Sequence, residues 1–98
     1  MVTRIVKMTF RPEEADGFLE LFASWKHRIR SFPGCRHLEL LRDASDPRVF
    51  FTYSHWNSQE DLERYRASDV FSEVWPRVKP LFDAPTQAWT AERIEHLP

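Results

Sequence analysis

The sequence predicts an α+β fold of the ferredoxin-like β-α-β-β-α-β order, a four-stranded antiparallel sheet with its helices on one face. Three observations predict it. Four segments alternate with a period of two. Two longer stretches, one after the first strand and one before the last, carry apolar residues at helical spacing. Proline, glycine and short polar residues punctuate the junctions between them. Ninety-eight residues are room for one domain, expected to span 1–98.

Val2 to Phe10 alternates. Val2, Val6, Met8 and Phe10 share one face, interrupted by Arg4, and Thr3, Ile5, Lys7 and Thr9 share the other. That pattern is a strand with one apolar face. Arg11-Pro12-Glu13-Glu14 starts a helix, because proline suits the first helical position and acids favour the first turn. Phe18, Leu21, Phe22, Trp25 and Ile29 then follow helical spacing, and Lys26, Arg28 and Arg30 suit the closing turns. Pro33-Gly34 stops the helix.

Cys35 to Arg42 is the second strand, with Leu38 and Leu40 on one face and His37, Glu39 and Leu41 on the other. Ala44-Ser45-Asp46-Pro47 is turn chemistry, and Arg48 to Trp56 is a third strand rich in β-formers, so the two strands should form an antiparallel hairpin. Ser58 is placed to cap the next helix, with the Asp61 carboxylate reaching back to complete the cap. That helix runs through Leu62 and Tyr65 towards Ser68. Ser68-Asp69 opens a second start leading to Phe82, and Pro76 and Pro80 predict a kinked or two-piece helix. Ala84-Pro85 ends it. Thr86 to Ile94 is the last strand, with Gln87, Trp89, Ala91 and Arg93 on one face.

Fourteen basic against fifteen acidic residues, a formal charge of −1, exclude a strongly basic nucleic-acid binder. No apolar run approaches the ~20 residues of a membrane span, and the N-terminus lacks the form of a signal peptide. A lone Cys35 cannot form an internal disulfide, which points to a reducing, cytoplasmic setting. Aromatic residues make up 14% of the chain, a surplus whose outlets are the core, a subunit interface or a flat ligand. The sheet face away from the helices carries apolar groups on several strands. An isologous homodimer covers such a face most simply.

The four histidines show no metal-ligand spacing, and no nucleotide or flavin fingerprint exists, so neither a metal nor another cofactor is expected. A three-residue hairpin loop would set His37 opposite His55, joined by Glu39 and Tyr53 as a polar seam of the dimer. A four-residue loop would pair His37 with Ser54 instead. Cys35 reads as a small packed residue. Arg66 reads either as a guard at a pocket mouth or as part of a solvated helix face.

Phe32-Pro33-Gly34-Cys35 before the second strand, Ser54 to Leu62 with Trp56 ending the third strand, and Ser68-Asp69-Val70-Phe71 together resemble the antibiotic biosynthesis monooxygenase-like family of dimeric α+β barrels. The resemblance covers nearly the whole chain. It implies a pocket between sheet and helices, mapped here onto Val6, Met8, Trp56, Phe71 and Trp75. Some members of that family oxidise aromatic phenols with O₂ and no metal or flavin, and others degrade haem. Haem degraders carry an axial histidine where Trp75 stands and an asparagine in the first strand, which this chain lacks. An indole nitrogen is only a donor and does not ligate iron, so haem degradation is not expected.

The expected function is a cofactor-independent monooxygenase acting on a small phenol or quinol. Trp56 and Trp75 would be stacking walls, with the indole N–H orienting an oxygen. Tyr65 and Ser54 would handle protons or hydrogen bonds, and Thr52 shares the strand parity of Ser54 and Trp56. The alternatives are a non-enzymatic dimeric binding protein for an aromatic metabolite, using the same walls as packing and binding surface, and an isomerase or detoxifying enzyme, which would call for a histidine in the pocket.

Overall fold

In the computed structural model, which describes residues Met1–Pro98, the strands are β1 (Val2–Thr9), β2 (Cys35–Arg42), β3 (Val49–Trp56) and β4 (Gln87–Glu92). They form one antiparallel sheet in the order β2-β3-β1-β4. The helices α1 (Ala15–Arg30), α2 (Gln59–Arg66) and α3 (Asp69–Val78) supply the β-α-β-β-α-β order, with the second helical stretch in pieces. No helix is long and apolar enough to cross a membrane.

The element ends differ from the sequence expectation for local reasons. Pro12–Glu14 form a 3₁₀ turn, closed by the Glu14 N–H on the Arg11 carbonyl at 2.9 Å, and α1 begins only at Ala15. β1 stops at Thr9, and beyond it the Phe10 N–H donates to the Arg48 carbonyl at 3.0 Å while Phe10 forms an isolated bridge with Phe82. β4 stops at Glu92 because its partner in β1 is Val2, the first residue of that strand, so Arg93 and Ile94 have nothing to pair with. The capping box is half formed. Ser58 Oγ accepts the Asp61 N–H at 3.2 Å, but the Asp61 carboxylate turns to Arg64. Aspartate is one methylene shorter than the glutamate such boxes use. Pro76 lies within α3, and the chain breaks between α2 and α3 and again at the 3₁₀ turn Lys79–Leu81, which holds Pro80.

The hairpin takes the three-residue register, with His37 opposite His55 and Glu39 opposite Tyr53. A bulge between Cys35 and His37 lets Cys35 still pair with Trp56. Gly34, just before it, has φ +92°, and a Cβ there would lie 2.5 Å from the Asp61 side chain. Only glycine permits both that backbone and the close seating of α2.

The core lies between the sheet and the helices. Phe10 is fully buried, stacked on Phe18 at 4.3 Å, with Phe50, Met8, Trp25 and Ile29 around them. A second, smaller cluster joins Val2, Cys35, Trp56 and Leu62. The opposite sheet face has no helix over it. Its cross-strand rows run Leu41, Phe51, Lys7, Gln87; then Glu39, Tyr53, Ile5, Trp89; then His37, His55, Thr3, Ala91.

Candidate functional site

The inner sheet face sets the floor of a cavity of about 390 Å³. Strand parity decides which side chains reach it. β1 offers Arg4, Val6 and Met8, and β3 offers Thr52, Ser54 and Trp56. In register, Ser54 lies beside Arg4 and Arg4 beside Thr90, while Thr52 lies beside Val6 and Val6 beside Ala88. The walls come from α1 (Phe18, Phe22, Ile29), α2 (Leu62, Tyr65, Arg66) and α3 (Phe71, Val74, Trp75). All eight side chains singled out from the sequence border this one cavity: Val6, Met8, Thr52, Ser54, Trp56, Tyr65, Phe71 and Trp75.

Their geometry differs in one respect from the expectation. Trp56 is only 1% exposed, and its indole N–H donates to Ser54 Oγ at 3.0 Å. That donor is spent inside the protein and is not free to orient a ligand oxygen. The Ser54 hydroxyl, having accepted that bond, keeps its own proton to donate. The Trp56 ring is buried against Tyr65, stacked on it at 5.0 Å and 27°, and backs that part of the wall. Phe32 and Phe71 both meet the Tyr65 ring edge-on at 5.5 Å. One turn further, Phe71 and Trp75 lie nearly parallel, 5.7 Å apart at 11°. The cavity thus has two flat aromatic pairs in its wall, a geometry that suits a planar guest.

Burial pushes the Tyr65 hydroxyl up to about 12, with the neighbouring Cys35 a smaller influence in the same direction. At neutral pH Tyr65 is therefore a neutral donor and no base. Cys35 itself lies in the second core cluster, outside the cavity, and burial raises its thiol. It is a packing residue, inert as a nucleophile.

The histidines stand elsewhere. His37 and His55 are on the outer sheet face, their rings 5.1 Å apart, with His55 Nδ1 3.0 Å from Thr3 Oγ1 and His37 Nε2 3.3 Å from Glu39. No group of three or more His, Cys, Asp or Glu side chains is placed to hold a metal.

Sequence reasoning does not place Arg4 in the cavity. It counts there as an interruption of an apolar strand face, and that interruption is the signal available. Its guanidinium donates to Thr90 Oγ1 at 2.9 Å. Burial lowers its pKa, the Arg66 charge lowers it further, and Glu63 opposes both more weakly. Arg66 sits at the cavity edge, 44% exposed, 3.5 Å from Glu63. Thr86, whose buried Oγ1 has no hydrogen-bond partner, also borders the cavity.

Comparison with known proteins agrees with this architecture. The sequence profile described as antibiotic biosynthesis monooxygenase matches residues 1–75. Rv0793 from Mycobacterium tuberculosis superimposes with a TM-score of 0.90 at 18% identity, covering 99% of this chain and 98% of that one. SnoaB from Streptomyces nogalater, a cofactor-independent oxygenase solved as a point mutant, gives 0.88 at 18% identity, covering 99% and 96%. At such identities these likenesses speak for the fold. A candidate heme-binding protein of Haloarcula marismortui is 33% identical over 85 residues, 85% of this chain. The match spans only 13% of that protein's length.

Proposed function

The chain belongs to the antibiotic biosynthesis monooxygenase family, and from that premise we propose that it is a cofactor-independent monooxygenase for a small aromatic phenol or quinol held under α2 and α3. The observation that carries this reading is the cavity with its two aromatic pairs, Trp56 on Tyr65 and Phe71 on Trp75. In such a reaction the substrate supplies the electrons. A phenol and O₂ give a quinone and water: the ring C–H and the O–H are lost, one oxygen atom becomes the new carbonyl, and the other leaves as water. The protein's share is to bind the ring, orient it and exclude water. Trp75 and Phe71 form one wall and the Trp56–Tyr65 pair the other. Ser54 and Tyr65 donate hydrogen bonds to the ring oxygen as it gains negative charge. Val6, Met8 and Thr52 form the floor. The active unit is a homodimer packed through the outer sheet face.

Haem does not fit these residues. No histidine or cysteine borders the cavity, and the Trp75 nitrogen has no lone pair to give. Burial holds Tyr65 protonated, and Met8 is 3% exposed within the floor.

One observation favours a second reading, a non-enzymatic binding protein for the same aromatic ligand: the cavity contains no group able to act as a base at neutral pH. The isomerase alternative loses the histidine it called for, since His55 faces away. Oxygen consumption with a panel of hydroquinones and phenols decides between them. The monooxygenase reading expects uptake of one O₂ per product formed, and a kcat/KM at least tenfold lower in Trp75→Ala. No uptake by folded protein with any member overturns it, and ligand bound but recovered unchanged under O₂ supports sequestration.

A further inference from the structure

Two cations of the cavity wall have no role in ring binding. Arg4 rises from the floor between Ser54 and Thr90, on a strand face whose other members are apolar. Arg4 is partly buried, with its bond to Thr90 still open to solvent, and a partly desolvated guanidinium is stabilised by an opposite charge. Five of the eleven arginines have a carboxylate within ion-pair distance, and of the two that line the cavity only Arg66 is one of them. Arg4 has none, and its bond to the neutral Thr90 hydroxyl leaves its charge uncompensated. A second cation borders the same cavity: Arg66 repels the Arg4 charge, though burial is the larger reason the Arg4 pKa is lowered. An anion between them would remove that repulsion.

We propose that the cavity takes an aromatic carboxylate, its acid group between Arg4 and Arg66 and its ring against Tyr65, Phe71 and Trp75. This rests on the reading of the cavity as a small-molecule site and adds the charge of the molecule it holds. A guanidinium fork matches the two oxygens of a carboxylate with paired hydrogen bonds. The remaining wall is apolar and aromatic, so it accepts the ring and rejects a small hydrophilic acid.

The test compares 2-naphthoate with its neutral counterpart 2-naphthamide, titrated into the full chain and followed by tryptophan fluorescence and calorimetry. The expected result is a Kd for the acid at least tenfold below that for the amide, a gap that narrows as salt is raised. Arg4→Gln should abolish the gap, leaving the amide's affinity within twofold. Arg66→Gln, on an exposed helix position that does not endanger folding, should narrow it severalfold. Equal binding of acid and amide to the wild-type chain overturns the proposal while the small-molecule site stands. Binding of neither overturns the site, and the proposal with it.

Discussion

Tyr65 shows how one buried hydroxyl constrains chemistry and stability together. Its ring is held by Trp56, Phe32 and Phe71, and burial raises its pKa from 10 to about 12. A group whose folded pKa exceeds its unfolded value stabilises the fold fully below the unfolded pKa. That contribution is lost as pH rises through the folded one. The loss begins near pH 10 and reaches about 1.4 kcal/mol at pH 11. Tyr65→Phe cannot show it. Urea unfolding of both proteins at pH 8 and pH 11 should find the wild type losing about that much more than the variant, and equal losses would show that the hydroxyl is solvated. The positions of Tyr65, Ser54, Thr52 and Trp56 around the cavity were legible in the sequence, because strand parity and helical spacing fix which way a side chain leaves the backbone. The Trp56 bond to Ser54 was not, since it depends on a rotamer. Arg4 was visible only as a break in a pattern, and its neighbour Arg66 is 62 positions away in sequence.

At the scale of elements, the joint between α2 and α3 positions the aromatic walls. Ser68 holds it from both sides: its Oγ accepts the Phe71 N–H at 3.3 Å and donates to the Tyr65 carbonyl at 2.6 Å. It therefore caps the helix carrying Phe71 and Trp75 and closes the one carrying Tyr65. Ser68→Ala should cost about 1–2 kcal/mol by urea unfolding, the range for a lost N-cap, and Ser68→Thr should restore most of it. Ser72→Ala, which removes only an exposed bond to the Ser68 carbonyl, should stay within about 0.5 kcal/mol. A Ser68→Ala chain as stable as the wild type would mean that packing alone sets the joint. The caps and the break at Ser68 could be read in advance, because serine before an acidic first turn is a local signal. The hairpin register could not, since both loop lengths fit the turn residues. The choice follows from long-range packing: the observed register puts Leu38 and Leu40 beside Ser54 and Thr52 on the helix-covered face, and a one-residue slip would turn them outward. The end of β4 is set in the same way, by where β1 runs out of partners.

For the whole molecule, the two sheet faces differ in what they ask of their surroundings. The inner face is covered by three helices. The outer face leaves Trp89 48% and Leu41 46% exposed, in rows with Ile5, Tyr53 and Phe51. Leu41, Phe51, Tyr53, Ile5 and Trp89 form an apolar patch that crosses the sheet diagonally, with Glu39 on one side of it and Lys7, next to Ile5 along β1, on the other. A second copy turned by a two-fold axis presents the same patch in return, which satisfies the self-complementarity of an isologous interface. Sedimentation at micromolar concentration should find a particle of about twice 11.8 kDa. Trp89→Lys, at an exposed position, should shift it to a monomer, with Kd raised at least 100-fold. Acid should act in the same direction. Burial first, then the charges of His37, Arg93 and His96, lowers the His55 pKa from 6.5, with Glu39 opposing, while Thr3 and Tyr53 pack against the ring. A histidine kept below its unfolded value contributes stability above pH 6.5, and that contribution is lost as pH falls through its folded pKa. Association would bury the ring further and deepen the effect, so the dimer should loosen between pH 7 and pH 5, and His55→Gln should flatten that dependence. A wild-type chain that sediments as one copy across this range would leave the outer face as the protein's own surface, and its exposed tryptophan without a partner.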